Sequence, residues 1–309
     1  MARHIILAAL ILLMSCSCTA ASSAVSARTE PKRGTAPVPA PGPAGEDKAA
    51  LAQRYIRAYP DFFVAYKGGY LVTKDGGRIL FDDGKAKDFD GMIVDTAVGD
   101  DAFDPEDALH WDYPAGEDIP TPEKPPVGDP GRIRPAAVFE YMYGSTAAER
   151  KGAMRDVQWV DTIGGKPKKI RVTTVNGVDK ALTRVSHEIM NLPDDKKKAL
   201  EGIVYRVEGP YGYYERPVRD FPGRTSGHAY GIAVDINGDL AYFAGGHKGE
   251  PYLYRNNVPR FLVEIFEKNG FIWGGRWHSY DAMHFEYRPE LLMNGQSSRR
   301  SDSSVNCPR

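Results

Sequence analysis

Ser226-Gly-His228-Ala-Tyr-Gly231-Ile-Ala-Val-Asp235-Ile-Asn237 decides how the rest of this 309-residue sequence is read. After Gly231 the alternation of residue types puts Ile232, Val234 and Ile236 on one face of a strand and Ala233, Asp235 and Asn237 on the other. One face is apolar core and the opposite one is small and acidic. His228 precedes Asp235 by seven residues, an odd offset that would set the two on opposite faces of a continuous strand. A bend between them is therefore required, and Gly231 is the residue that tolerates one.

A second stretch, Trp273-Gly-Gly-Arg-Trp277-His-Ser-Tyr-Asp281-Ala-Met-His284-Phe-Glu286-Tyr, has the same character. A strand from Ala282 to Tyr287 puts His284 and Glu286 on one face and Met283, Phe285 and Tyr287 towards the core, with Asp281 at its entrance. Two imidazoles and one carboxylate, here His228, Asp235 and His284, are a usual donor set for catalytic zinc, which keeps one coordination position open. Such a site lowers the pKa of bound water towards ~7. A carboxylate beside the metal but not on it, here Asp281, can take that proton and pass it to a leaving amine. Glu286 is expected to support a ligand by hydrogen bonding, as outer groups of metal sites do. Taken singly these residues say little: an isolated histidine is more often structural, and an aspartate ahead of Asn237 and Gly238 can simply start a turn. The weight lies in the combination.

That combination resembles the zinc D-alanyl-D-alanine carboxypeptidases, the vancomycin-resistance dipeptidases and the phage L-alanyl-D-glutamate endopeptidases. These share Ser-x-His-x-x-Gly-x-Ala-x-Asp followed by Asp/Glu-x-x-His, and the endolysin-like branch also has Trp-Gly-Gly-x-Trp ahead of the second motif. The resemblance spans residues 202–290, well under half of the chain. It implies a Hedgehog/DD-peptidase-like fold, Zn2+ held by His228, Asp235 and His284, Asp281 as catalytic base, and peptidoglycan stem peptides as substrate. Ser226 is implied as a substrate-contacting or supporting hydroxyl. Apart from the resemblance, Trp273 and Trp277 could stack on sugar or peptide, although a tryptophan in such a segment is as often core. The family also carries an arginine upstream that stabilises charge on the substrate carbonyl. Arg216, in Tyr-Tyr-Glu-Arg-Pro-Val-Arg, matches best, with Arg219 as the alternative. Carboxypeptidase and endopeptidase share this machinery, so the bond cut stays open. The rival from another class is a zinc-containing wall-binding module without turnover; Asp281 and Arg216 speak against it, because binding alone gains nothing from a base beside an open metal position.

Outside the motifs the pattern is α+β, a small, mostly antiparallel sheet flanked by helices with no strict βαβ alternation. Helical spacing starts after Asp47 with Ala50, Leu51, Tyr55 and Ile56, and returns over 136–142 and 147–157. Between Pro60 and Pro130 regularity is expected to be low, with short apolar runs at Tyr70–Thr73 and Met92–Val94 and a Pro-rich connection from Pro114. Ile170 to Val175 reads as a strand. Ala181, Leu182, Val185 and Ile189 mark one helix face, and Asn257, Pro259 and Gly270 bracket another helix. The expected organisation is a signal peptide over 1–21, a Pro/Ala-rich linker over 22–46, an accessory region over 47–165, a zinc peptidase domain over 166–293 and a disordered tail over 294–309.

Arg3 and His4 precede an apolar run from Ile5 to Met14 and then small residues, the order of a bacterial secretory signal. That run is too short to cross a bilayer, which needs roughly twenty residues in a helix. Cys16 after Leu-Met-Ser resembles a lipobox, which implies a lipid anchor; plain cleavage near Ala20 or Ala21 is the alternative. Export to the periplasm or cell envelope follows either way. With 40 basic and 41 acidic residues, no bulk charge favours nucleic acid or an anionic membrane surface as partner, and a monomer is expected. Cys16, Cys18 and Cys307 lie at the two ends, so the body has no disulfide framework. Ser-x-x-Lys and Gly-x-Ser-x-Gly are absent, which excludes the usual serine hydrolase signatures. His187-Glu188 fails as a helical zinc motif because position 191 is asparagine. His110, His247 and His278 read as loop residues.

Overall fold

The computed structural model describes residues 47–160, 169–201, 211–236, 242 and 252–295. The leader with Cys16, the linker, Asn237, His247 and the expected tail from residue 296 on, with Cys307, lie outside the described residues.

Helix α1 (Lys48–Ala58) is capped by Asp47, whose carboxylate accepts the amide of Ala49, and it buries Leu51, Ala52 and Tyr55. An antiparallel meander follows in the order β1 (Phe63–Lys67), β2 (Tyr70–Thr73), β3 (Arg78–Leu80). The region expected to be irregular thus contains a regular sheet, joined by short α2 (Phe89–Val94) and two single 3-10 turns. Helix α3 (Ala136–Tyr143) falls where the helical spacing placed it.

The next expectation needs correcting. Helical spacing over 147–157 ends early, because α4 (Ala147–Gly152) stops and β4 (Met154–Gln158) begins. A Thr146–Glu149 capping box fixes the start of α4. The residues after Gly152 are captured by β5 (Lys169–Thr173) in an unbroken antiparallel register, Met154 opposite Thr173 through Gln158 opposite Lys169. A five-residue apolar pattern cannot distinguish the two outcomes, and the pairing partner decides.

Beyond β5 come α5 (Val178–Met190), α6 (Asp194–Ala199), a hairpin of β6 (Pro217–Val218) and β7 (Phe221–Thr225), and then β8 (Ala233–Asp235). Helix α7 (Arg260–Lys268), β9 (Phe271–Trp273) and β10 (His284–Tyr287) follow, and a 3-10 helix (Pro289–Gly295) ends the described chain. The sheet that matters for function has the order β8-β10-β9, antiparallel throughout. Among the described residues there are seven helices and four small antiparallel sheets, an α+β architecture.

One hydrophobic core joins the early and late parts of the sequence. Leu51, Tyr55, Phe63 and Phe139 belong to the same buried cluster as Ile232, Val234, Phe266, Trp273 and Phe285. The alternation read after Gly231 is kept, with Ile232, Val234 and Ile236 all buried. A smaller cluster gathers Ile93, Phe103, Ala108, Trp111 and Ile133. No described helix is long and apolar enough to cross a membrane.

Candidate metal centre

Strands β8 and β10 pair so that His284 lies directly opposite Asp235, which brings together two residues 49 positions apart. His228 reaches the same point through a turn. The amide of Gly231 donates to the carbonyl of His228 at 3.0 Å, and that of Ile232 to the carbonyl of Gly227 at 3.0 Å. Gly231 sits at φ +70, where a side chain would be strained. A β-carbon there would also fall 2.5 Å from Sδ of Met154 and 2.9 Å from the amide of Thr173. The bend that the odd offset demanded is therefore built from backbone that only glycine fits.

The two imidazoles are held from behind. Nδ1 of His228 lies 2.8 Å from the carbonyl of Gly212, which can only accept, so Nδ1 carries the hydrogen and Nε2 keeps the lone pair. That Nε2 is buried, 3.1 Å from Oδ2 of Asp235, and makes no hydrogen bond to any described residue. Nδ1 of His284 lies 2.9 Å from Oδ1 of Asp235, and its Nε2 lies 3.1 Å from Oε2 of Glu286. His228, at 3% exposure, and His284 are both buried, and their rings are 5.1 Å apart at 73°.

These residues fit a divalent cation on three grounds. A buried lone pair on His228 has no protein donor. One donor atom from each of His228, Asp235 and His284 lies within 4.8 Å of the others. Ligands about 2.0–2.1 Å from a tetrahedral zinc are themselves roughly 3.3 Å apart, close to the spacing found here. The third ground is electrostatic. Burial opposes charge on His284, yet hydrogen bonds to Asp235 and Glu286 outweigh it and push its pKa up to about 9. Burial would likewise raise Asp235, but the neighbouring imidazoles of His228 and His284 hold it below the usual carboxylate range. Without metal, a proton thus sits where the site calls for positive charge.

Asp281 is in place beside this group without joining it. Its amide donates to the carbonyl of Gly274 at 3.0 Å, and its own carbonyl accepts the amide of His284 at 3.1 Å. Its Oδ1 is buried and has no hydrogen-bond partner among the described residues. Burial first, and then the like charge of Asp235, raise its pKa against the opposing pull of His284, Arg132 and His228. A carboxyl raised in this way beside a metal donor set has the properties of a proton carrier.

The donors open onto a cleft of about 540 Å³ that is also lined by Ser226, Trp277 and five arginines, Arg132, Arg134, Arg216, Arg219 and Arg224. Arg216 stands at its rim just before β6, half-buried, with Nη1 3.5 Å from the carbonyl of Pro217. Ser226 is buried; its Oγ accepts the amide of His228 at 3.3 Å, and its carbonyl accepts that of Ala229 at 2.9 Å, so it shapes the turn bearing the ligand. Trp277 needs correction as an open stacking surface. It is 1% exposed, its indole N–H donates to the carbonyl of Pro130, and its ring is covered by the guanidinium of Arg132 at 4.2 Å. Met283, expected in the core, lines the cleft as well. Glu286 does lie behind His284, completely buried.

Sequence reasoning missed Arg132, Arg134 and Arg224. Arg224 spends its guanidinium on the carbonyls of Val98, Ile93 and Met92. Arg132 donates to the carbonyl of Ser279 at 2.5 Å and keeps a buried Nε without a described partner. It belongs to a segment that is zipped along the loop bearing Asp281: the amide of His278 donates to the carbonyl of Gly128 at 2.7 Å, and Ser279 donates to Asp129 from both its amide and its hydroxyl. Gly131-Arg-Ile-Arg-Pro135 carries no motif, and its only signal is the alternation of two charges around Ile133.

A buried His/Asp/His donor set with an adjacent carboxyl, on an antiparallel α+β scaffold, is an arrangement that could hold a metal ion. Residues 221–287 match the model of a family described as D-alanyl-D-alanine carboxypeptidase. The match supports the zinc DD-peptidase family to which the two motifs pointed, and it contains Ser226, all three donors, Asp281 and Glu286. No curated protein matches the chain.

Proposed function

We propose that the protein hydrolyses an amide bond in peptidoglycan stem peptides, as a zinc-dependent D-Ala-D-Ala carboxypeptidase or L-Ala-D-Glu endopeptidase of the bacterial cell envelope. The observation that carries this reading is the buried carboxyl of Asp281, whose Oδ1 has no partner among the described residues, next to three converging candidate metal donors. His228, Asp235 and His284 would hold the ion. Zinc bound there supplies Lewis-acid polarisation of a carbonyl and water of lowered pKa. Asp281 takes the proton from the attacking water on its free Oδ1 and delivers it to the leaving nitrogen, so one group serves both halves of the reaction. Arginine side chains of the cleft, Arg216 at the rim and Arg132 beside Asp281, attract carboxylates of the peptide and stabilise charge on the carbonyl oxygen. Export is supported by Arg3, the apolar run Ile5–Met14 and the small residues after it, and a lipid on Cys16 would hold the protein near its substrate.

Digestion of purified muropeptides followed by mass spectrometry tests this. Loss of one alanine identifies a carboxypeptidase, and release of the stem from the sugar-linked alanine an endopeptidase. Asp281→Ala should retain zinc and lose about 10²–10⁴-fold in rate, whereas His228→Ala should lose both zinc and turnover. Wild-type turnover by Asp281→Ala would remove that residue from the mechanism, and a zinc-loaded wild type that cuts no wall peptide would leave a binding module.

A further inference from the structure

We infer that Arg134 is a positioning residue which fixes the ring nitrogen that His284 presents to the metal site, by holding Glu286 as a pure hydrogen-bond acceptor behind the imidazole. The inference rests on the metal-site reading above but not on which bond is cut.

An imidazole has two nitrogens, and the hydrogen bond made by one determines which keeps a lone pair. For Nδ1 of His284 to face Asp235 as a donor to metal, Nε2 must carry the hydrogen, and the group behind it must accept. Glu286 occupies that place, with Oε2 3.1 Å from Nε2. What makes it an obligate acceptor comes from elsewhere in the chain. Arg134, 152 residues away, grips the carboxylate with both arms of its fork, Nε to Oε1 at 2.7 Å and Nη2 to Oε2. Arg288 adds Nη1 to Oε1 at 3.4 Å and is itself fixed by the carbonyls of Gly131 and Ile133. Every described partner of Glu286 other than His284 is therefore an N–H donor. A carboxylate so surrounded has no hydrogen to give, and its orientation is set by the planar geometry of a bidentate guanidinium. Gly131 and Ile133 lie in the extended segment that leads into Arg134, so Arg288 buttresses both the carboxylate and the backbone that delivers its partner.

A purely structural role, neutralising a buried charge, would lower stability and leave the metal site alone. A positioning role also moves zinc affinity and the state of the ring. Lysine at 134 keeps the charge but loses the fork, and glutamine at 286 keeps the shape but can turn an amide N–H towards Nε2. The test uses the full chain and zinc alone, with affinity from competition against a chromophoric chelator. A second readout is the ¹H–¹⁵N spectrum of the zinc-loaded, histidine-labelled protein. In the wild type, Nδ1 of His284 binds metal and its Nε2–H exchanges slowly. Arg134→Lys and Glu286→Gln should each weaken zinc binding by about 10–100-fold and speed the exchange of that hydrogen. Folded variants with wild-type affinity and an unchanged Nε2–H signal overturn the inference, and Glu286→Gln alone decides if Arg134→Lys does not fold. A wild type that binds no zinc overturns the metal centre itself, whereas bound zinc without peptide cleavage overturns only the proposed activity.

Discussion

Residues 221–287 and residues 47–160 meet at one cleft but bring opposite things to it. The later stretch carries the imidazoles and acids, His228, Asp235, Asp281, His284 and Glu286, within a span short enough for spacing to reveal them. The earlier one brings guanidinium groups, Arg132 and Arg134, which touch that chemistry through Trp277 and Glu286. Metal donors must sit at fixed offsets on paired strands, because a one-residue slip turns a side chain to the other face. An arginine that arrives across a tertiary contact obeys no such spacing. A motif therefore marks a set of candidate donors but not the boundary of the unit that builds the site.

The strongest way to break this comparison is to separate the halves. Residues 166–293 produced alone, the segment that the sequence suggested as a domain, should give no cooperative unfolding transition. They would expose Tyr230, which packs against Phe139 and Tyr143, and leave Glu286 without Arg134, where loss of one partner of a buried pair alone costs about 3–5 kcal/mol. A folded, zinc-binding fragment in a thermal melt would show that the earlier region is dispensable. A smaller effect sharpens the geometry within the motif. Gly231→Ala should destabilise the chain by roughly 2–4 kcal/mol in urea denaturation, from positive φ and from overlap with Met154 and Thr173. A loss under ~0.5 kcal/mol would mean that the turn bearing His228 relaxes freely.

The smallest expected effect is a pH dependence at the seam. Asp100, 5% exposed, accepts the amide of Thr225 at 2.7 Å and so ties the two regions together. Burial raises its pKa to about 6, with Glu286 adding to the rise and Thr225, Arg134 and Arg224 opposing it. The folded protein therefore holds this proton more tightly than the unfolded chain, whose aspartate titrates near ~4. The contribution of this group to stability is greatest below ~4, declines as pH rises from about 4 to about 6, and is flat above. Asp100→Asn should remove that part of the slope in denaturation curves taken across the window, and an unchanged slope would assign the pH dependence elsewhere.

Much of the site was legible because its residues report their own geometry. The odd offset between His228 and Asp235 demanded a bend, and Gly231 at φ +70 provides it. His284 and Glu286 share a face by strand alternation, and the glutamate lies behind the histidine. Helices α1, α3 and α5 follow from apolar spacing long enough to exclude a strand. Illegible were features fixed by a partner far away. Met154–Gln158 becomes a strand because β5 is there to pair with it. Trp277 is a covered wall because Arg132 and Pro130 lie on it. The meander β1-β2-β3 was hidden in a stretch of glycines and aspartates too short in apolar period to read.

Diffraction from zinc-soaked crystals at the zinc absorption edge locates the ion. One anomalous peak is expected within about 2.0–2.2 Å of Nε2 of His228, a carboxylate oxygen of Asp235 and Nδ1 of His284, with Asp281 beside the ion and not bound to it. A peak at another cluster, coordination through Nε2 of His284, or no bound zinc at all would contradict it.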